Sequence, residues 1–182
     1  MRVTTLIAGL STVLVVAAAE AQSRQAPDTA ARRTAMERLH FLVGDWGGDV
    51  VSQTQAGQQS RHWQTEWVRY KLNGQVLALE GLGRRVLPTG AADTIFNAWA
   101  SVDWTPERGY LMRTQTLNGR TGEVPLAVSD SGFSWGMKFP AGQVRYTMRL
   151  LPSGEWHERG EFSRDGVNWI NNLEMRLKRA SP

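Results

Sequence analysis

From Gly44 onward, apolar and aromatic residues tend to recur at every second position, and turn residues break the pattern roughly every eight to twelve positions. A period of two marks strands with one buried face. It predicts strands near 45–54, 60–72, 75–83, 94–104, 109–117, 121–128, 132–139, 143–151, 155–163 and 166–178. Between them stand Asn73-Gly74, Asn118-Gly119, Asp130-Ser131-Gly132, Pro140-Ala141-Gly142, Pro152-Ser153-Gly154 and Arg164-Asp165-Gly166, which accept the positive φ of tight hairpins. One long connection is expected, from Arg84 to Asp93, with Pro88 and Gly90 at a rim. About ten strands joined in this way make an all-β, antiparallel up-and-down sheet, and closure into a β-barrel hides its edges. A two-sheet sandwich is the alternative.

Ahead of the strands, 29–42 is rich in helix formers, with Asp28 or Thr29 as N-cap and Met36, Leu39 and Phe41 or Leu42 at helical spacing. It predicts a short helix lying across one end of the barrel. Domain organisation is then a signal peptide over 1–21, a flexible leader over 22–27 and a single barrel domain over 28–182. The signal peptide rests on Arg2, the apolar run Leu6–Val16 and the small-residue site Ala19-Glu20-Ala21. A periplasmic or secreted location follows, with no stable membrane insertion after cleavage; an uncleaved signal anchor over Val3–Ala19 is the alternative.

Alternation also predicts which side chains face inward. In 132–139 these are Phe133, Trp135, Met137 and Phe139; in 143–151 they are Val144, Tyr146, Met148 and Leu150. The strand 155–163 turns Trp156, Glu158, Gly160 and Phe162 inward, and the last strand turns in Val167, Trp169, Leu173, Met175 and Leu177, with Asn171 as a polar exception. In 60–72 the face carrying Trp63, Thr65, Trp67 and Arg69 is expected inside, against His62, Gln64, Glu66, Val68 and Tyr70 outside. Both parities are apolar in 75–83, 94–104 and 109–117, so Glu80, Trp99 and Arg113 are left open.

Composition narrows the chemistry. The chain has no cysteine, so thiol catalysis, cysteine metal sites and disulfides are excluded, and stability must come from packing and hydrogen bonds. All eight tryptophans fall in predicted strands; each, fully buried, contributes roughly 5 kcal/mol as an upper bound. The net charge is +4, but the arginines are dispersed among acids. That is the pattern of a solvated surface, and no groove-reading motif accompanies it, so no nucleic-acid partner is expected.

The run Phe41-Leu42-Val43-Gly44-Asp45-Trp46 places G-x-W at the start of the first strand, after a short helix. This resembles the calycin superfamily of lipocalins and fatty-acid-binding proteins. The resemblance implies that Gly44 and Trp46 plug the closed end of the barrel and that a cation after the last strand, Arg179 or Lys178, packs over Trp46. With Asn73-Gly74-Gln75-Val76-Leu77, Phe133-Ser134-Trp135-Gly136-Met137, Gly142-Gln143-Val144-Arg145-Tyr146, the stretch from Gly160 to Gly166 and Leu173-Glu174-Met175-Arg176-Leu177-Lys178, the chain is also similar to the uncharacterised bacterial DUF1579 family. That family implies no activity. A neighbouring group, the nitrobindin type, binds haem through a barrel histidine. Here His157 and His62 have the outward parity and His40 belongs to the helix end, so all three are expected at the surface and no cofactor is expected.

No G-x-S-x-G, H-E-x-x-H or phosphate loop is present. His62 and Glu66 share a strand face but stand about 13 Å apart, too far for a metal site of their own. One acid–base candidate remains, Glu158, because a carboxyl on an apolar inner face must be paired, hydrogen-bonded or protonated. Arg69 or Arg113 is its expected partner. The reading that results is a barrel that binds a small apolar or amphipathic molecule, with Trp63, Trp67, Arg69, Trp135, Tyr146 and Glu158 around it. The alternatives are an enzyme using Glu158 with Tyr146 and an arginine, and a filled barrel acting through its surface. Oligomeric state is not encoded in any of these patterns.

Overall fold

The computed structural model describes residues 28–53 and 57–180. The predicted signal peptide and leader lie outside them. Ten antiparallel strands follow one helix: α1 (Thr29–Glu37), then β1 (Gly44–Gln53), β2 (Gln59–Lys71), β3 (Val76–Val86), β4 (Ala92–Thr105), β5 (Gly109–Thr116), β6 (Thr121–Ser129), β7 (Gly132–Phe139), β8 (Gly142–Leu150), β9 (Trp156–Ser163) and β10 (Ile170–Arg179). Each strand pairs with the next, and β1 pairs with β10, so the sheet closes into an up-and-down barrel. The expected long connection is short: β3 runs on to Val86 and β4 begins at Ala92. The turn between them is tightened by Leu87 N–H to Ala91 O and by Gly90 at φ 82°.

The helix closes one end. Asp28 caps α1, its Oδ1 accepting from Ala30 N–H at 3.1 Å and Ala31 N–H at 2.9 Å. The last carbonyls of a helix lack the usual i+4 amide; Ala35 O and Met36 O accept instead from Arg38 N–H at 3.2 Å and Leu39 N–H at 2.9 Å, and two barrel tyrosines donate to the same oxygens. Tyr70 Oη donates to Met36 O at 2.8 Å and Tyr110 Oη to Ala35 O at 2.6 Å. Met36, Leu39 and Leu42 are thereby held over a core of Trp46, Val68, Leu77, Val102, Met148, Trp156 and Leu177. Burial at that helix contact raises the Tyr70 phenol to about 12.

Residues paired across a sheet share a face, so the ladder fixes the interior. From the buried Trp46 and Val50, the register places Glu66 and His62 on the inner face of β2, with Gln64 between them opposite Gly48. This reverses the parity expected for 60–72. Trp63, Thr65, Trp67 and Arg69 face outward, and Trp63 and Trp67 are 54% and 37% exposed. The same ladder settles the open strands: Leu77, Leu79, Gly81 and Gly83 face in on β3, and Glu80, Trp99 and Arg113 face out.

The last strand also differs from expectation. Val167 and Trp169 precede β10 in a loop organised by Asp165, whose Oδ1 accepts from Val167 N–H and Asn168 N–H at 2.8 Å each. Val167 is exposed, and Trp169 lies outside beneath Arg145, 4.0 Å from its Cζ to the ring. Seven of the tryptophans, rather than all eight, are therefore in strands. A bulge between Asn171 and Leu173 puts Asn171 in register with the outward Glu161.

The end away from the helix is open. Phe96, Met137, Phe139 and Ile170 have inward parity yet remain exposed around it. The wall has one weak seam, since β6 and β7 pair only from Ala127 to Ser129. Pro125, which has no N–H to donate, stands where that ladder lapses.

Candidate functional site

The barrel interior divides into two chemistries. Near the helix it is packed and apolar; toward the mouth, β2 turns three polar side chains inward in succession. His62 Nε2 donates to Gln64 Oε1 at 3.2 Å, and Gln64 Nε2 donates to Glu66 Oε1 at 2.7 Å. This directional chain leaves His62 Nδ1 as an acceptor, buried without a hydrogen-bond partner among the described residues. Burial lowers the His62 pKa, which favours the neutral ring.

The neighbouring strand makes the room these groups need. A Cβ on Gly81 would press on Glu66 and Gln64, and one on Gly83 on Gln64 and His62. Two strands beyond β1, Glu158 projects inward from β9 and accepts from Trp156 Nε1 at 3.1 Å. Gly160 lies beside it, and its bare α-carbon makes space for the Tyr146 ring. That ring stacks on Trp135 at 4.3 Å and 11°.

Glu66 and Glu158 line one cavity of about 130 Å³, whose walls include Phe96, Met112, Phe133, Trp135 and Trp156. Burial pushes both carboxyls up to about 7, and the charge of Glu158 adds to the shift at Glu66. The Tyr146 hydroxyl is raised as well, by burial and then by Glu158. Carboxyls withdrawn from water without a counter-charge hold their protons toward neutrality.

The expected arginine partners of Glu158 are elsewhere. Arg69 faces outward and binds Asp45 at 2.8 Å, while Arg113 binds Asp103 at 3.0 Å and Glu123 at 2.9 Å on the outer wall. Neither can serve as an anion binder inside, so the combination of Glu158, Tyr146 and an arginine is not assembled. Of the six residues grouped around a ligand by the sequence, Trp135, Tyr146 and Glu158 come together inside and Trp63, Trp67 and Arg69 lie outside. Glu66, Gln64 and His62 were missed. Their signal was present: Val68 and Tyr70 continue the same parity toward the helix, and Gly81 and Gly83 two apart mark a wall cut back to admit side chains.

At the closed end, Arg179 Cζ stands 4.2 Å above the Trp46 ring, and Trp46 Nε1 donates to Leu42 O at 2.8 Å. Lys178 points outward toward Glu155. Gly44 sits at φ 146° directly under the Arg179 guanidinium, where a Cβ would collide with it.

Of the histidines, His157 is at the surface, paired with Glu174 at 2.6 Å, and His40 stacks on Tyr70 at the helix end. His62 is the correction, being inside. Among the described residues, no cluster of three His, Asp or Glu side chains is placed to hold a metal ion.

No family model matches the sequence, and no curated protein matches it. Among solved structures the chain is similar to the crystal structure of Rv2717c from M. tuberculosis, with a TM-score of 0.60 and 10% sequence identity over 81% of this chain and 98% of that one. At that identity the likeness carries the fold alone: a ten-stranded antiparallel barrel.

Proposed function

We propose that the protein binds a small, partly apolar molecule inside its barrel, between the aromatic wall and the carboxyls of Glu66 and Glu158. One observation carries this reading: the cavity of about 130 Å³ is lined by both. A filled barrel would leave no such space, and a purely structural interior gains nothing from two carboxyls that cost free energy to bury. The volume sets the scale of the ligand, since an apolar cavity of about 150 Å³ accepts benzene.

The motifs similar to DUF1579 and the N-terminal apolar run support a bacterial protein exported in this role, a step tested by N-terminal sequencing of the protein recovered outside the cytoplasm. The binding itself is tested on protein purified from its own host. Native mass spectrometry should show a bound species of low mass, and a panel of compounds of six to ten heavy atoms should raise Tm. No bound species and no shift across the panel would overturn the reading.

A second reading, acid–base catalysis, draws support from the same pair, because carboxyls titrating near neutrality are matched to proton transfer at ordinary pH. It predicts a fall in kcat in Glu158→Gln well beyond any loss of ligand affinity.

A further inference from the structure

The distribution of charge between the two sides of the barrel wall is uneven in a way the binding reading does not use. The chain carries 21 Lys and Arg against 17 Asp and Glu, and yet the charges turned into the cavity are both acidic. Among the described residues below the mouth, the inner faces of β1 and of β3 through β8 place no Lys or Arg beside Glu66 or Glu158. The nearest cations of inward parity lie at the two ends and are already engaged. Arg85, at the mouth, pairs with Asp93 at 2.9 Å. Arg179, at the closed end, donates to Val43 O and Phe41 O and covers Trp46. The other titratable groups facing this space are His62, whose pKa burial lowers, and Tyr146, whose hydroxyl burial raises. Glu66 accepts a hydrogen bond from Gln64 and Glu158 one from Trp156, and among the described residues neither forms an ion pair.

Resting on the binding reading, we infer that the ligand is a small organic cation, a protonated amine or amidine on a compact apolar body, taken up with its charge between Glu66 and Glu158. A cation supplies the missing counter-charge, and charge-assisted hydrogen bonds to the free carboxylate oxygens fix its orientation. Trp156, Trp135, Phe133 and Phe96 present the aromatic wall that suits both the charge and the body of such a molecule. An anion is refused, because it would face two carboxyls with no donor cation. A neutral isostere fills the same volume but leaves the carboxyls uncompensated. Binding is also linked to protons: with both carboxyls titrating near 7, the cation competes with the protons they hold, and its affinity falls as the pH is lowered.

Three probes of one size and shape test this by calorimetry on the intact protein: benzylamine, benzyl alcohol and benzoate, at pH 7.5 and pH 5.5. Benzylamine should bind at least tenfold more tightly than benzyl alcohol at pH 7.5, benzoate should not bind, and the advantage of the amine should shrink by about tenfold at pH 5.5. Glu158→Gln and Glu66→Gln should each weaken benzylamine about tenfold and shrink its advantage over benzyl alcohol. Where a variant does not fold, the pH comparison on the unaltered protein is decisive by itself. Benzyl alcohol or benzoate binding as tightly as benzylamine, or an amine affinity independent of pH, would overturn the cation inference and leave barrel binding intact. Binding of none of the three removes the cation inference, and the barrel reading is then judged separately on the species found by native mass spectrometry.

Discussion

The guanidinium of Arg179 is stacked on Trp46 and tied to the backbone that precedes Trp46, donating to Phe41 O at 2.9 Å and also to Val43 O. The end of the last strand is thus clamped to the start of the first, which joins the two ends of the barrel domain at the helix-covered end.

Removing either partner should therefore destabilise the whole barrel. Trp46→Ala is expected to cost about 3 to 5 kcal/mol, as for other large buried aromatics. Arg179→Met is expected to cost about 2 kcal/mol, from the cation–π contact and the charged hydrogen bonds. The double variant should lose less than the sum, because the two share one interaction. Urea unfolding of the three proteins measures this, and full additivity would argue against the clamp.

The interior carboxyls make stability depend on pH in a defined direction. Glu66 and Glu158 titrate at about 7 in the folded protein, above the ordinary value of 4.5. The folded state thus holds protons that the unfolded state releases. The stabilisation is complete below about pH 4.5 and is lost as the pH rises through 7. Each carboxyl accounts for on the order of 3 kcal/mol across that window. Glu158→Gln should raise Tm at pH 8, leave it nearly unchanged at pH 4.5, and flatten the slope between. Equal effects at both pH values would show that Glu158 is not held away from water.

The tryptophans should separate into two classes. Trp63 and Trp67 are outside, with Arg69 and Lys71 laid along the Trp67 ring at 4.9 and 5.1 Å. Replacing either by Ser should change stability by less than about 1 kcal/mol. Trp156, buried against Trp46 at 5.6 Å and Phe133 at 6.5 Å, should cost about 3 to 5 kcal/mol as Ala. A large loss at Trp63 would mean that its outer face packs on a partner.

Where the interior is apolar, it was legible in the sequence. In β7 and β8, Phe133, Trp135, Tyr146 and Met148 alternate with Ser, Gly, Thr and Arg, and one parity is clearly the core. In β2 the rule failed because the inner face there belongs to the cavity and is itself polar. Two large indoles outweighed Val68 and Tyr70, yet exposed tryptophans shielded by cationic stems are tolerated on a barrel wall. Glu158 was legible because its strand is apolar on both sides of it, in Trp156 and Phe162. Its company was not: that Glu66 shares the cavity depends on the register of β2 with β1 and β3, a long-range relationship that no local pattern contains. The turn at Asp165-Gly166 was visible, but the delayed start of β10 was not, because Asp165 bonds to the next backbone amides and so holds Val167 and Asn168 out of the ladder.

Placement of the functional site inside the barrel, beside the carboxyl pair, can be read from the eight indole N–H signals in a nitrogen-15 NMR spectrum. They should be assigned by single substitutions and followed during titration with whichever panel compound raises Tm most. Trp156, whose N–H donates to Glu158, and Trp135, which lines the cavity, should shift with the binding curve. Trp63, Trp67 and Trp169, which do not line the cavity, should stay in place. Shifts confined to those outer indoles, with Trp135 and Trp156 unmoved at saturation, would contradict an interior site and move it to the outer wall.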